Sequence, residues 1–137
     1  MITTVEKVLF LKGIDLFSDL PGEELAQIAL ITEEAQRPAG TEIIHEGEVG
    51  ESLYIVVEGR VQVTKGDKPV AELSEREVFG EMALLDPAPR SATVKALSDV
   101  TYLTIRREDF ADIMAERHEI ARGVIQVLTR RLRAATR

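Results

Sequence analysis

The chain has 137 residues, 24 Asp and Glu against 17 Lys and Arg, a net charge of −7, and neither Cys nor Trp. At roughly 100–200 residues per domain it makes one domain spanning 1–137, and the absence of Cys excludes a disulfide framework, thiolate-bound metal and a Cys nucleophile. No apolar run reaches the roughly 18 residues of a membrane span, and the opening MITTVEKVLF lacks a secretory pattern, so we expect a cytoplasmic protein without a transmembrane segment.

Residues 1–37 read as N-terminal helices. Val5, Val8, Leu9 and Lys12 fall at helical spacing, and a second helix restarts at Pro21 with Glu23 and Glu24 in its first turn. Leu25, Ile28, Ala29 and Thr32 give that helix one face, and Pro38-Ala39-Gly40 stops it. Residues 41–105 change character. Short β-rich runs alternate with glycine: Ile43-Ile44 before Gly47 and Gly50, then Leu53–Val57, then Val61–Thr64 after Glu58-Gly59, then Val70–Leu73 after Gly66-Asp67. After a long insert without strand pattern the alternation resumes at 92–96 and 100–105. Several short strands with regular turns predict a sandwich, barrel or roll. Residues 106–137 return to helix, with a short stripe of Phe110, Ile113 and Met114 and a longer one of Ile120, Val124, Val127, Leu128 and Leu132. Gly123 inside the longer stripe weakens it by about 1 kcal/mol relative to Ala.

Charge divides along the chain. All 24 acids precede residue 120, whereas Arg122, Arg130, Arg131, Arg133 and Arg137 follow it with no acid. An acidic body repels nucleic acid. The basic end reads as a solvated helix face with cations at the negative end of the dipole.

The insert FGEMALLDPAPRSATV, residues 79–94, concentrates polar chemistry. Gly80 permits a tight turn and close approach to backbone. Glu81 through Leu85 suit one or two helical turns, whose N-terminal N–H groups favour an anion. Arg90 offers two parallel hydrogen bonds to a phosphate, and an ionised Glu81 accepts from a hydroxyl such as a ribose 2′-OH. Together they fit a nucleotide monophosphate; an internal Glu81–Arg90 ion pair is the competing explanation.

This run resembles the phosphate-binding cassette of cyclic nucleotide-binding domains: FGE, then ALL, then PR, then a small residue and ATV. The flanks LKGIDLFSDLPGEELAQIA, AGTEIIHEGEVGESLYIVVEGRVQV and DFADIMAERHEIARGVIQVLTRRLR resemble the family's N-terminal helices, β-roll and closing helices. The resemblance implies a mainly β fold with flanking helices, a jelly-roll-like β-roll. It also implies a non-catalytic sensor that binds the cyclic phosphate through Arg90 and the ribose hydroxyl through Glu81. Backbone groups of Gly80, Met82 and Ala83, with Ser91, complete that cradle. Ser at position 91 is found in bacterial cAMP binders, which favours cAMP over cGMP. Val61 and Val63 are expected against the base, and Arg130, Arg131 and Thr136 of the last helix are candidates to reach it. No cofactor or metal is expected beyond the nucleotide. The last helix is expected to move as the output, read by an effector protein or domain, or to form a homodimer seam.

Other classes fit less well. A metal oxygenase on a small barrel needs clustered His, whereas His45 and His118 lie far apart. No DNA binding is expected of this chain alone, because no second helix pair with a recognition face follows the long helix. The alternatives retained are an interaction module of the same fold that binds no nucleotide, and the sensor half of a longer transcription regulator or transporter.

Overall fold

The computed structural model describes residues 1–136. Glu33–Arg107 form one compact unit, and Met1–Thr32 with the residues from Glu108 onward form another.

The second of these is helical. Helix α1 (Thr4–Lys12) opens with a capping box: the Glu6 amide donates to Thr3 Oγ1, and the Thr3 amide donates to the Glu6 carboxylate. A 3-10 turn (Asp15–Phe17) and α2 (Gly22–Leu30) follow. After the β unit come α3 (Arg107–Glu116) and α4 (His118–Ala135). Phe17 and Phe110 are both buried, with ring centroids 5.5 Å apart. Arg117 stands at the break between α3 and α4 and donates two bonds to the buried Glu24 of α2, at 2.6 and 2.8 Å. Gly123 is a packing position: a Cβ there would lie 2.4 Å from Leu20 Cδ2. The expected α4 stripe is buried at Ile120, Val124 and Val127, but Leu132 is 66% exposed.

The β unit is antiparallel throughout. One sheet has the order β1 (Glu33–Arg37), β10 (Val100–Arg106), β4 (Ser52–Glu58), β7 (Val78–Phe79). The other has β2 (Glu42–Ile44), β9 (Thr93–Ala96), β5 (Val61–Lys65), β6 (Lys68–Leu73). Val56, Phe79, Val100 and Tyr102 from the first sheet meet Ile44, Val61, Val94 and Ala96 from the second in one core cluster. The sheets do not close into a barrel; a short pair, β3 (Val49–Gly50) with β8 (Ala88–Pro89), stands apart. This is the β-roll arrangement expected.

Two expectations need correction. The N-terminal helical zone ends at Leu30, and Glu33–Arg37 is an edge strand paired with β10. Its sequence EEAQR has a single apolar residue, so backbone pairing makes the strand and no hydrophobic alternation announces it. The insert after β6 is not free of strand: Val78–Phe79 pairs with β4 and Ala88–Pro89 with β3. Two-residue strands are too short to carry a period.

Candidate functional site

The segment 79–91 is held from both ends. Gly80 adopts φ 77°, a left-handed conformation that L side chains rarely take, and starts a 3-10 turn over Glu81–Leu84. Within that turn Ala83 and Leu84 are buried and Met82 faces out. This is a single tight turn, shorter than the one or two helical turns its composition suggested. Downstream, the Arg90 amide donates to Glu48 O at 2.7 Å and the Gly47 amide donates to Arg90 O at 2.9 Å, which extends the β3–β8 pairing by one more rung. The Glu46 amide donates to Thr93 Oγ1 at 3.0 Å. The loop 45–50 and the segment 88–93 are thereby one hydrogen-bonded arch.

The Arg90 side chain threads this arch between two glycines. A Cβ on Gly50 would lie 1.8 Å from Arg90 Nε, and a Cβ on Gly80 would lie 2.7 Å from its Nη1. Arg90 Nη2 donates to Ser52 O at 2.8 Å. The guanidinium carbon sits 5.9 Å from the centroid of the Tyr54 ring, within reach of a cation–π attraction. Tyr54 is itself stacked on Phe79, with centroids 4.9 Å apart, and edge-on to Tyr102 at 5.4 Å. Among the described residues no carboxylate pairs with Arg90. The Glu81–Arg90 ion pair considered from sequence is not formed. Burial draws Arg90 below the ordinary guanidinium value, yet arginine stays charged in proteins. The β unit therefore holds a half-buried, positioned cation with no acid to compensate it.

Arg90 lines three hollows, two of which it shares with Ser91. The largest of them, about 360 Å³, is lined by Gly80, Glu81, Met82, Ala83, Arg90 and Ser91, the six residues expected to bind ligand. A second, about 170 Å³, adds Ile44, Val63 and Val94 as an apolar wall beside Arg90 and Ser91. Val63 borders this wall, whereas Val61 is fully buried in the core cluster. A roomier hollow of about 450 Å³ lies at Gln36, Arg37, Glu58, Asp99 and Thr101 of the same unit. Opposite charges meet there, and no paired glycines hold its arginine, so the chemistry favours the Arg90 hollows. Arg130 and Arg131 belong to the helical unit, where they donate to Asp19 and Asp15. Thr136 caps α4, its Oγ1 donating to Arg133 O.

Sequence reasoning passed over Gly50, Ser52 and Tyr54. Gly50 was visible only as turn punctuation, and nothing in the spacing said that Arg90 would lie across it.

The sequence matches the cyclic nucleotide-binding domain family over residues 34–117, the stretch that contains this arch. The chain belongs to this family. It is 39% identical over 112 residues to a cyclic nucleotide-gated potassium channel of Rhizobium etli, covering 82% of this chain and 31% of the channel. It is 33% identical over 130 residues to the cyclic AMP receptor protein of Thermus thermophilus, covering 91% of this chain and 60% of that protein. The chain thus spans between about a third and three-fifths of the length of these relatives. Among solved structures, the N-terminal domain of a transcriptional regulator from Streptomyces coelicolor superposes with a TM-score of 0.86 at 32% identity, covering 92% of this chain and 94% of that one. Among the described residues no helix of this cyclic nucleotide-binding domain is long and apolar enough to cross a membrane, and no group of acids and histidines is placed to hold a metal.

Proposed function

We propose that this domain is a non-catalytic cAMP sensor. The observation that carries the reading is Arg90: a charged, half-buried guanidinium without an acidic partner, held between Gly50 and Gly80 and bordering a hollow of about 360 Å³. A buried cation left uncompensated is unfavourable unless an anion completes it, and a planar guanidinium suits two phosphate oxygens. Arg90 takes the cyclic phosphate. Glu81 accepts from the ribose 2′-OH, and the backbone of Gly80, Met82 and Ala83 with the Ser91 hydroxyl closes the cradle. The apolar wall of Ile44, Val63 and Val94 suits the base. The similarity to a cyclic AMP receptor protein favours cAMP over cGMP.

Output runs through α4, either to an effector or through a second copy. Ala121, Ile125, Leu128, Leu132 and Ala135 repeat at four- and three-residue steps, and Ile125 and Leu132 are 61% and 66% exposed, which suits a helix-to-helix seam. A sensor portion of a longer regulator or transporter is consistent with the length of the relatives. Calorimetric titration with cAMP, cGMP and cyclic dinucleotides in parallel tests the reading. Saturable binding of cAMP in preference to the others supports it, and the absence of binding to any of them makes the domain an interaction module of the same fold.

A further inference from the structure

Helix α4 is held within the helical unit in two different ways along its length. Its first half is fixed by burial. Ile120, Gly123, Val124 and Val127 are buried, Gly123 admits Leu20 into close contact, and Arg117 before the first turn is clamped to the buried Glu24. Beyond Val127 no α4 residue is fully buried; Leu128 is half-buried and Leu132 lies largely in solvent. There two ion pairs replace apolar contact. Arg130 donates to both carboxylate oxygens of Asp19 at 2.6 and 2.8 Å. Arg131 donates through Nε and Nη2 to Asp15 Oδ2, at 3.1 and 2.5 Å. Both aspartates belong to the segment of the 3-10 turn, Asp15 inside it and Asp19 just after it.

We infer that the last two turns of α4 are an ionic latch, closed on Asp15 and Asp19, which opens at about residue 128 while the first half of the helix stays docked. The two halves answer to different forces. Apolar burial is insensitive to moderate salt. Exposed ion pairs are weak and screened by it, with a Debye length of about 10 Å at 0.1 M and about 3 Å at 1 M. Arg130 is 56% exposed and Asp15 is 67% exposed, so water and counter-ions reach both pairs. The free-energy gap between closed and open ends is correspondingly small, as a switching element requires. The latch needs no nucleotide, and its test contains none, so it stands or falls apart from the cAMP reading.

Hydrogen exchange followed residue by residue on the whole chain decides it. Asp15→Asn/Asp19→Asn keeps the side-chain shape and removes the charges. At low salt its amides from 129 to 136 should exchange about 2- to 30-fold faster than the parent's, the range that two exposed pairs imply. The parent in 1 M KCl should approach the same rates, and the variant should respond little to KCl. Val124 and Val127 should keep their protection in every case, which also shows that the variant folds. Exchanging the charges, with Asp15→Arg/Asp19→Arg combined with Arg130→Asp/Arg131→Asp, should restore slow exchange. Unchanged rates beyond residue 128 in the Asn variant would overturn the latch. So would equal acceleration at Val124 and Val127, or a charge-exchanged protein whose helix end stays open.

Discussion

If two glycines hold Arg90 where it sits, the phosphate anchor can be dislodged without altering it. Gly50→Ala is the sharpest perturbation. Gly50 does not have a positive φ, so its backbone accepts a side chain. The space does not: the new Cβ would lie 1.8 Å from Arg90 Nε, 2.1 Å from Cζ and 2.5 Å from Cδ. No rotation of a methyl relieves contacts that short, and the arch backbone is pinned on both sides by the bonds of Arg90 with Gly47 and Glu48. The Arg90 side chain must leave, giving up its bond to Ser52 O. A hydrogen bond from a charged donor contributes about 1.5–3 kcal/mol, but the released guanidinium regains water, so the net loss of stability should be about 1 kcal/mol. Binding should suffer far more. Removing the charged partner of a desolvated phosphate costs about 2–5 kcal/mol, a fall of roughly 30-fold to several thousand-fold in affinity.

Displacement of a fluorescent cAMP analogue, run beside a thermal melt, separates the two effects. A double-mutant cycle makes the mechanism explicit: once Arg90→Ala has removed the side chain, Gly50→Ala has nothing left to displace. The second substitution should then change affinity less than threefold, a large departure from additivity. Gly50→Ala that melts like the parent and binds cAMP within threefold of it would refute both the anchor role of Arg90 and the account of its positioning.

Other outcomes follow from the same geometry. Glu81→Ala should abolish the preference for cAMP over its 2′-deoxy analogue, a charge-assisted bond of about 1.5–3 kcal/mol; a parent that treats both analogues alike assigns Glu81 elsewhere. Saturating cAMP at a hundredfold excess over Kd should add about 2.7 kcal/mol to stability, a rise on the order of 5–10 °C in Tm, with much less from 5′-AMP. Glu24→Ala should cost about 1.5–3 kcal/mol, because it removes a buried acceptor of charged hydrogen bonds and leaves Arg117 only the longer contact to Glu23, at 3.6 Å. The bond from Arg117 holds the Glu24 carboxyl below its ordinary value, so this stability is present in full above the usual carboxylate range and is lost as pH falls through the lowered value. The acid limb of the parent's melting curve should therefore be steeper than that of Glu24→Gln. Leu132→Ser with Ile125→Ser should convert any dimer seen by light scattering to monomer while leaving the fold intact; a dimer that persists in this variant is not built on the α4 face.

The sequence carried the roll and its cassette because both depend on local pattern. Short runs rich in β-branched and apolar residues mark β4, β5, β9 and β10, and these strands supply most of the core cluster. The run from Phe79 to Val94 carries its polar groups within a dozen positions, and the six residues singled out there line one hollow. Strand β1 was hidden because EEAQR pairs through its backbone and offers the core only Ala35, too little to make an apolar pattern. Gly50, Ser52 and Tyr54 were hidden for a different reason: each acts on Arg90 from about 40 residues away in sequence, and no spacing rule joins them.

Gly123 shows how the same residue reads differently at the two levels. In a helical stripe it counts against stability, by about 1 kcal/mol, and suggests a place where the helix opens. In the folded unit it is buried and lets Leu20 approach to a distance that any side chain would forbid. The glycine therefore fastens α4 at its first half, and the weak point moves downstream to Leu128, where burial ends. The arginine cluster changes meaning in the same way. From residue 120 onward the helix carries no acid, and the sequence alone makes its arginines a solvated face. Across the unit, Arg117, Arg130 and Arg131 meet Glu24, Asp19 and Asp15 in order along the segment before and within α2. Much of the acidic charge of the N-terminal helices and the basic charge of α4 is thus one arrangement: a buried pair at the helix start that fixes α4, and two exposed pairs near its end that leave it free to move.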